Sequence, residues 1–173
     1  SRQENSLSDQ MAKHVLSHHY PNYRSYTFLE RGSDERQYCS AGVDLPIATV
    51  MRSKYGTYPQ YHTSLDDLNF VTATGLYGGY EALQLCLQGI ENNEKPTVTC
   101  LCEPQLGKRG LYPAISDKNT GSLVATLKNV LAYCDGSHSL LDIANKINEP
   151  IWEVISIIAK LKKHNLITTK SEI

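Results

Sequence analysis

SLLDIANKINEPIWEVISIIAKLKKHN, residues 139–165, decides how the C-terminal part of the chain folds. Ser139 stands where a helix needs an N-cap, and Leu140, Ile143, Ala144 and Ile147 follow at helical spacing. Pro150 suits the first position of a second helix, where its missing N–H costs nothing. Ile151, Val154, Ile155, Ile158 and Leu161 then form an apolar face, and Asn165 reads as the C-cap. Upstream, SLVATLKNVLAYCDG (122–136) puts Leu123, Leu127, Val130 and Leu131 on one face and stops at Asp135-Gly136. Downstream, LITT (166–169) is a short strand. Three short helices and a strand at this spacing read as a winged-helix or helix-turn-helix-like unit.

A unit of this kind reads DNA or packs against protein, and charge separates the two. A DNA-reading helix presents Arg, Lys, Asn or Gln to bases and phosphates. Lys160, Lys162 and Lys163 cluster at the C-terminal end of the last helix, where they also complement the helix dipole. Residues 122–173 hold six lysines, no arginine and five acids. That balance is far from the basic footprint of a nucleic-acid reader, so protein packing or dimerisation is the expected role.

Towards the N-terminus, residues 7–18 place Leu7, Met11 and Val15 on one helical face with Ser6 as N-cap, and Pro21 closes the segment. YRSYTFLE (23–30) and LPIATVMR (45–52) read as strands. Long loops follow each, and loops carry sites. A helix is expected from about Gly75 to Glu91, with Leu76, Tyr80, Leu83, Leu87 and Ile90 as its stripe and Gly78-Gly79 weakening its first turns. ENNEKPTVTC is a linker entering a short extended piece, and 102–113 is punctuated by Gly and Pro.

Lys+Arg 17 against Asp+Glu 18 gives no long-range attraction to nucleic acid or to an anionic membrane. No apolar run approaches the ~18 residues that span a bilayer. The start, SRQENSLSDQ, is polar rather than signal-like, and it lacks an initiating Met, which reads as a fragment or a processed chain. Five cysteines without regular spacing suit reduced thiols in the cytoplasm rather than a disulfide framework. Cys100 and Cys102 have no second pair with which to close a zinc site. Ten of the eleven tyrosines precede residue 113, where their amphipathic rings suit a polar groove.

Two loops hold the candidate chemistry. Asp34, Glu35 and Arg36 are either a solvated cluster or polar groups facing a cleft. In YPQYHTSLDD (58–67), His62 is either a metal ligand or a polar turn residue. As a ligand it would present a neutral imidazole nitrogen, with Asp66 or Asp67 orienting the ring. As a turn residue it would precede Thr63 or Ser64 as a cap, with the acids near a helix N-terminus. His14 and His18 share a helix face without the Glu of an H-E-x-x-H motif. Gly107-Lys108-Arg109-Gly110 is an anion-binding loop or a plain turn.

GSDERQYCSAGVDLP (32–46), MRSKYGTYPQYHTSLDDLNFV (51–71) and CEPQLGKRGLYP (102–113), in this order, resemble the aminopeptidase-like family related to di-zinc exopeptidases. Its members sit among surface-polysaccharide biosynthesis proteins and end in a small winged-helix domain, which residues 127–166 resemble. The resemblance implies an α/β fold: residues 1–100 as the C-terminal part of a zinc-exopeptidase-like α/β domain, 101–121 as an irregular connection, and 122–173 as the winged helix. It implies zinc as cofactor and His62 as the last of its ligands, with metal-activated water attacking an amide or peptide bond. Asp34 would lie beside the active site, and the 52–61 loop, with Tyr58 and Tyr61, would border the substrate cleft. The family's other ligands and its general base fall upstream of Ser1. The implied partner is therefore a missing N-terminal portion or, failing that, a second copy of the chain, and the implied substrate is a small peptide- or amide-containing molecule. The alternative is a non-catalytic winged-helix binding or regulatory module.

Overall fold

Ser139 caps its helix as its position suggests. In the computed structural model its hydroxyl accepts from the Asp142 amide while the Asp142 carboxylate takes the Ser139 amide at 2.9 Å, a reciprocal capping box. Ser6 and Asp9 repeat the device at the first helix. The structure describes residues 1–112 and 120–169, so 113–119 of the expected connection and 170–173 of the expected winged helix lie outside the described residues. The chain divides into two units, Ser1–Ile90 and Glu91–Ile173.

The C-terminal unit contains β1 (Pro96–Val98), a 3-10 turn at Gly107–Arg109, α4 (Thr120–Ala132), α5 (Leu140–Ile147), α6 (Ile151–Lys163) and β2 (Ile167–Thr169). α4, α5 and α6 pack on one another through Leu127, Val130 and Leu131, through Leu140, Ile143 and Ala144, and through Ile151, Val154, Ile157, Ile158 and Leu161. Ile155, expected on that face, is only half-buried, and Ile157 takes its place. Helix α6 ends with Asn165 at φ 55°. The Asn165 amide bonds Lys162 O and the Leu166 amide bonds Leu161 O, which satisfies the last carbonyls. Asn148 ends α5 in the same left-handed conformation.

β1 pairs antiparallel with β2, Pro96 opposite Thr169 and Val98 opposite Ile167. Its other edge meets the turn after α4, where Gly136 N donates to Pro96 O at 2.9 Å and Val98 N to Cys134 O at 2.9 Å. A strand cannot leave these partners, so residues 91–100 fold with the winged helix rather than with the preceding part, and the unit begins well before residue 122.

The N-terminal unit contains α1 (Leu7–His19), a 3-10 turn at Phe28–Glu30, the one-turn α2 (Glu35–Tyr38) and α3 (Ala73–Glu91). Met11, His14 and Val15 are buried on α1. Tyr20, just past its end, donates its hydroxyl to Gly78 O and Glu81 on α3, and His19 Nε2 lies 3.1 Å from Glu81 Oε2. The α/β expectation is corrected here. Residues 23–30 and 45–52 form no strands, and among the described residues the only sheet is the β1–β2 pair, so the protein is mostly helical. β-Branched and apolar composition makes a strand only where a neighbour supplies the ladder, and none adjoins these segments. All five cysteines are free. Among the described residues no helix is long and apolar enough to cross a membrane.

Candidate functional site

Helix α2 and the loop that joins it to α3 carry the candidate residues, and they are fastened together through Glu35, the first residue of α2. This carboxylate is 8% exposed and accepts from the Gly32 amide (3.0 Å), the Ser33 amide (3.2 Å), the Tyr55 hydroxyl (2.8 Å) and the Thr49 hydroxyl (3.3 Å). Burial alone would raise its pKa. The Gly32, Tyr55 and Ser33 donors outweigh that and hold it at about 2. The same burial and contact push the Tyr55 phenol up to about 12. Gly32 is required for the approach, since a Cβ there would lie 2.6 Å from Tyr55 Cε2. Glu35 is thus an ionised anchor that fastens the 52–57 loop to α2. Its neighbours Asp34 and Arg36 are exposed.

Aromatic rings line the next stretch. Tyr58 meets Tyr61 edge-on at 5.8 Å and stacks on Phe70 at 5.4 Å, and Tyr61 lies 6.2 Å from Tyr55. His62 stacks on Tyr61 with centroids 4.0 Å apart and planes 15° from parallel. Its backbone is left-handed, φ 57°, a conformation that histidine adopts more readily than most residues with a side chain and that Glu4, Asp44 and Cys102 share here. The imidazole is exposed. Neither Asp66 nor Asp67 bonds it. Asp67 is committed to a turn, accepting from the Asn69 amide (2.8 Å), the Asn69 side chain (3.2 Å) and the Phe70 amide (3.3 Å), contacts that lower its pKa. Thr63 closes its own turn by donating to Gln60 O at 2.8 Å.

A cavity of about 710 Å³ in this unit is lined by Tyr20, Arg24, Glu35, Arg52, Lys54 and Tyr55, among others. Of the site residues read from the sequence, Glu35 alone borders it. His62, Asp34, Arg36, Tyr58, Tyr61, Asp66 and Asp67 do not. Sequence reasoning missed Thr49 and Tyr55 as partners of Glu35. The signal for Tyr55 was its place in a tyrosine-rich loop, whereas nothing local marks Thr49. Gly107–Arg109 forms an ordinary turn closed by Gly110 at φ 67°, with Lys108 and Arg109 exposed.

A structural or catalytic zinc site takes at least three protein donors. Among the described residues no three His, Cys, Asp or Glu side chains converge on one point. The residues present therefore do not fit a zinc ion by themselves, and no hydrolytic step is assigned to them.

A winged helix following a helical segment with an aromatic-lined loop defines a two-part, mostly helical class of chain. Residues 1–93 match the family described as a domain of unknown function (DUF4910), and residues 94–169 match the winged helix-turn-helix family. The chain belongs to the first of these families and ends in the second. It is 40% identical over 140 residues, 80% of its length, to a Clostridium acetobutylicum protein named for polysaccharide biosynthesis with an aminopeptidase-like domain. A crystal structure of a protein from that organism, titled as a peptidase, matches 98% of the chain at 32% identity with a TM-score of 0.84. The chain spans 32% of the first relative and 37% of the second.

Proposed function

We propose that this chain is the C-terminal part of a zinc-dependent, aminopeptidase-like hydrolase that cleaves an amide or peptide bond in a small substrate, within a cytoplasmic protein linked to surface polysaccharide biosynthesis. The likeness to the structure titled as a peptidase, over 98% of the chain, carries the reading. His62 supplies one imidazole to the metal, and the remaining ligands and the general base come from outside residues 1–173. Its imidazole, stacked on Tyr61 and open to approach, supports this. Zinc, when bound, supplies Lewis acidity for amide hydrolysis. The chain's own residues build the wall: Glu35 pins Tyr55, and the rings of Tyr58, Tyr61 and Phe70 form an apolar shelf beside the imidazole. The winged helix contacts protein rather than nucleic acid, given its near-neutral charge.

The test is a full-length form carrying His62→Ala. Bound zinc per protein and hydrolysis of an aminoacyl amide are expected to fall together. Zinc content and activity equal to the unsubstituted protein would overturn the assignment.

A further inference from the structure

Helix α3 turns its large apolar side chains to water. Leu76 (66% exposed), Tyr80 (62%), Leu83 (48%) and Leu87 (62%) stand outward with Ile90, while Ala82, Cys86 and Gly89 face inward. The outward residues recur at spacings of four and three, a continuous seam along one helix face. Residues 65–71, which lead into the helix, expose Leu65, Leu68, Phe70 and Val71. The helix holds no Lys or Arg, and of its two acids Glu81 is engaged by His19 and Tyr20. Soluble proteins seldom leave an uncharged apolar face of this extent uncovered.

We infer that this face is the docking surface for the rest of an aminopeptidase-like domain, the part that the relatives carry outside the segment matched here. Those relatives are about three times as long as the matched segment, so they hold ample chain to cover it. A second copy fits less well. A helix of 19 residues, about 28 Å long, offers a second copy only the seam itself, and self-association is the competing outcome that the test separates. The absence of cations on the helix equally disfavours an acidic partner. The inference rests on family membership and not on a metal at His62: docking without zinc uptake would leave it standing while sinking the metal reading.

The test mixes this chain with the Clostridium acetobutylicum relative expressed without its matched segment, and follows mass by light scattering and exposed apolar surface by dye fluorescence. A one-to-one complex with reduced dye binding is expected, weakened at least tenfold by the pair Leu83→Asp and Leu87→Asp. A complex indifferent to the pair would overturn the proposal, as would self-association of this chain that the pair abolishes. A second measurement needs no separated fragment. In the whole relative, hydrogen exchange of the helix equivalent to α3 is expected to be slow, and aspartates at the positions equivalent to Leu83 and Leu87 are expected to lower its melting temperature sharply. Fast exchange, or a melting temperature unmoved by the aspartates, would overturn it as well.

Discussion

Gly136→Ala should destabilise the winged-helix unit severely, for two separable reasons. Gly136 has φ 80°, a region that costs an L-residue about 1 kcal/mol. A methyl group there would also lie 2.6 Å from Thr97 Oγ1. Thr97 has little room to yield, because it sits in β1 between the ladder to β2 and the bridge to Asp135. Overpacking of this kind costs roughly 1–3 kcal/mol, giving a total near 3 kcal/mol. For a unit of this size each kcal/mol moves the melting temperature by about 4–8 °C, so a fall of roughly 15 °C is expected. The protein carries its own probe, since its single tryptophan, Trp152, lies on α6 in this unit. Thermal unfolding followed by Trp152 fluorescence reads the shift. Adding Thr97→Ala removes the clash and leaves the backbone cost, so the double variant should recover about 1–2 kcal/mol relative to additivity. A Gly136→Ala melting temperature within about 2 °C of the unsubstituted protein would show that the turn is free to move and that β1 is not held as described.

The remaining expectations concern single contacts. Glu35 has a folded-state pKa of about 2 against an ordinary 4.5, so its stabilisation is complete above pH 4.5 and is lost as pH falls through 2. At ~1.36 kcal/mol per unit, reduced for partial solvent access, it is worth about 2 kcal/mol at neutral pH. Glu35→Gln should speed hydrogen exchange at the Gly32 and Ser33 amides at pH 7 and converge with the unsubstituted protein towards pH 2; equal exchange at pH 7 would refute the anchor. At Asn165, glycine should leave Trp152-detected stability within about 0.5 kcal/mol, whereas valine should cost about 1–2 kcal/mol for the left-handed backbone. Equal melting temperatures for the two variants would count against the helix-end motif.

The winged helix was legible because its information is local. Ser139, Asn165 and the apolar spacings of 140–147 and 151–161 each act within one helix, so no distant partner was needed to read them. β1 was not legible as part of that unit, because Pro96–Val98 takes its meaning from Thr169 and Asp135, at large sequence separations. The stripe on α3 was readable as a stripe, but periodicity says only that a face exists, not what covers it. Residues 45–52 have strand composition and no ladder, since strand formation belongs to a pair. In the candidate site, Glu35 was singled out for the wrong company: Arg36 and Asp34 adjoin it in sequence, but Thr49 and Tyr55 hold it. The backbone conformation of His62 leaves no trace in composition at all.

Burial is distributed unevenly between the units, and that bears on how the two proposals relate. Leu140, Leu141, Ile143, Val154 and Leu161 are all but inaccessible to water in the C-terminal unit, whereas the N-terminal unit keeps Met11, Val15 and Cys39 as its fully buried apolar side chains and exposes most of its large ones. Each leucine moved from water to a packed interior contributes about 1.5–3 kcal/mol, so the α3 seam alone holds back several kcal/mol until it is covered. Residues 65–71 run from the His62 loop straight into α3, so covering the α3 face is expected to steady that loop, whereas a metal at His62 is not needed to cover α3. The order of effects follows: aspartates on α3 should loosen the 55–71 loop and weaken any metal held there, while His62→Ala should leave docking intact. Hydrogen exchange of that loop, measured in both variants of the whole relative, distinguishes this order from its reverse, and equal loosening by the two substitutions would refute it.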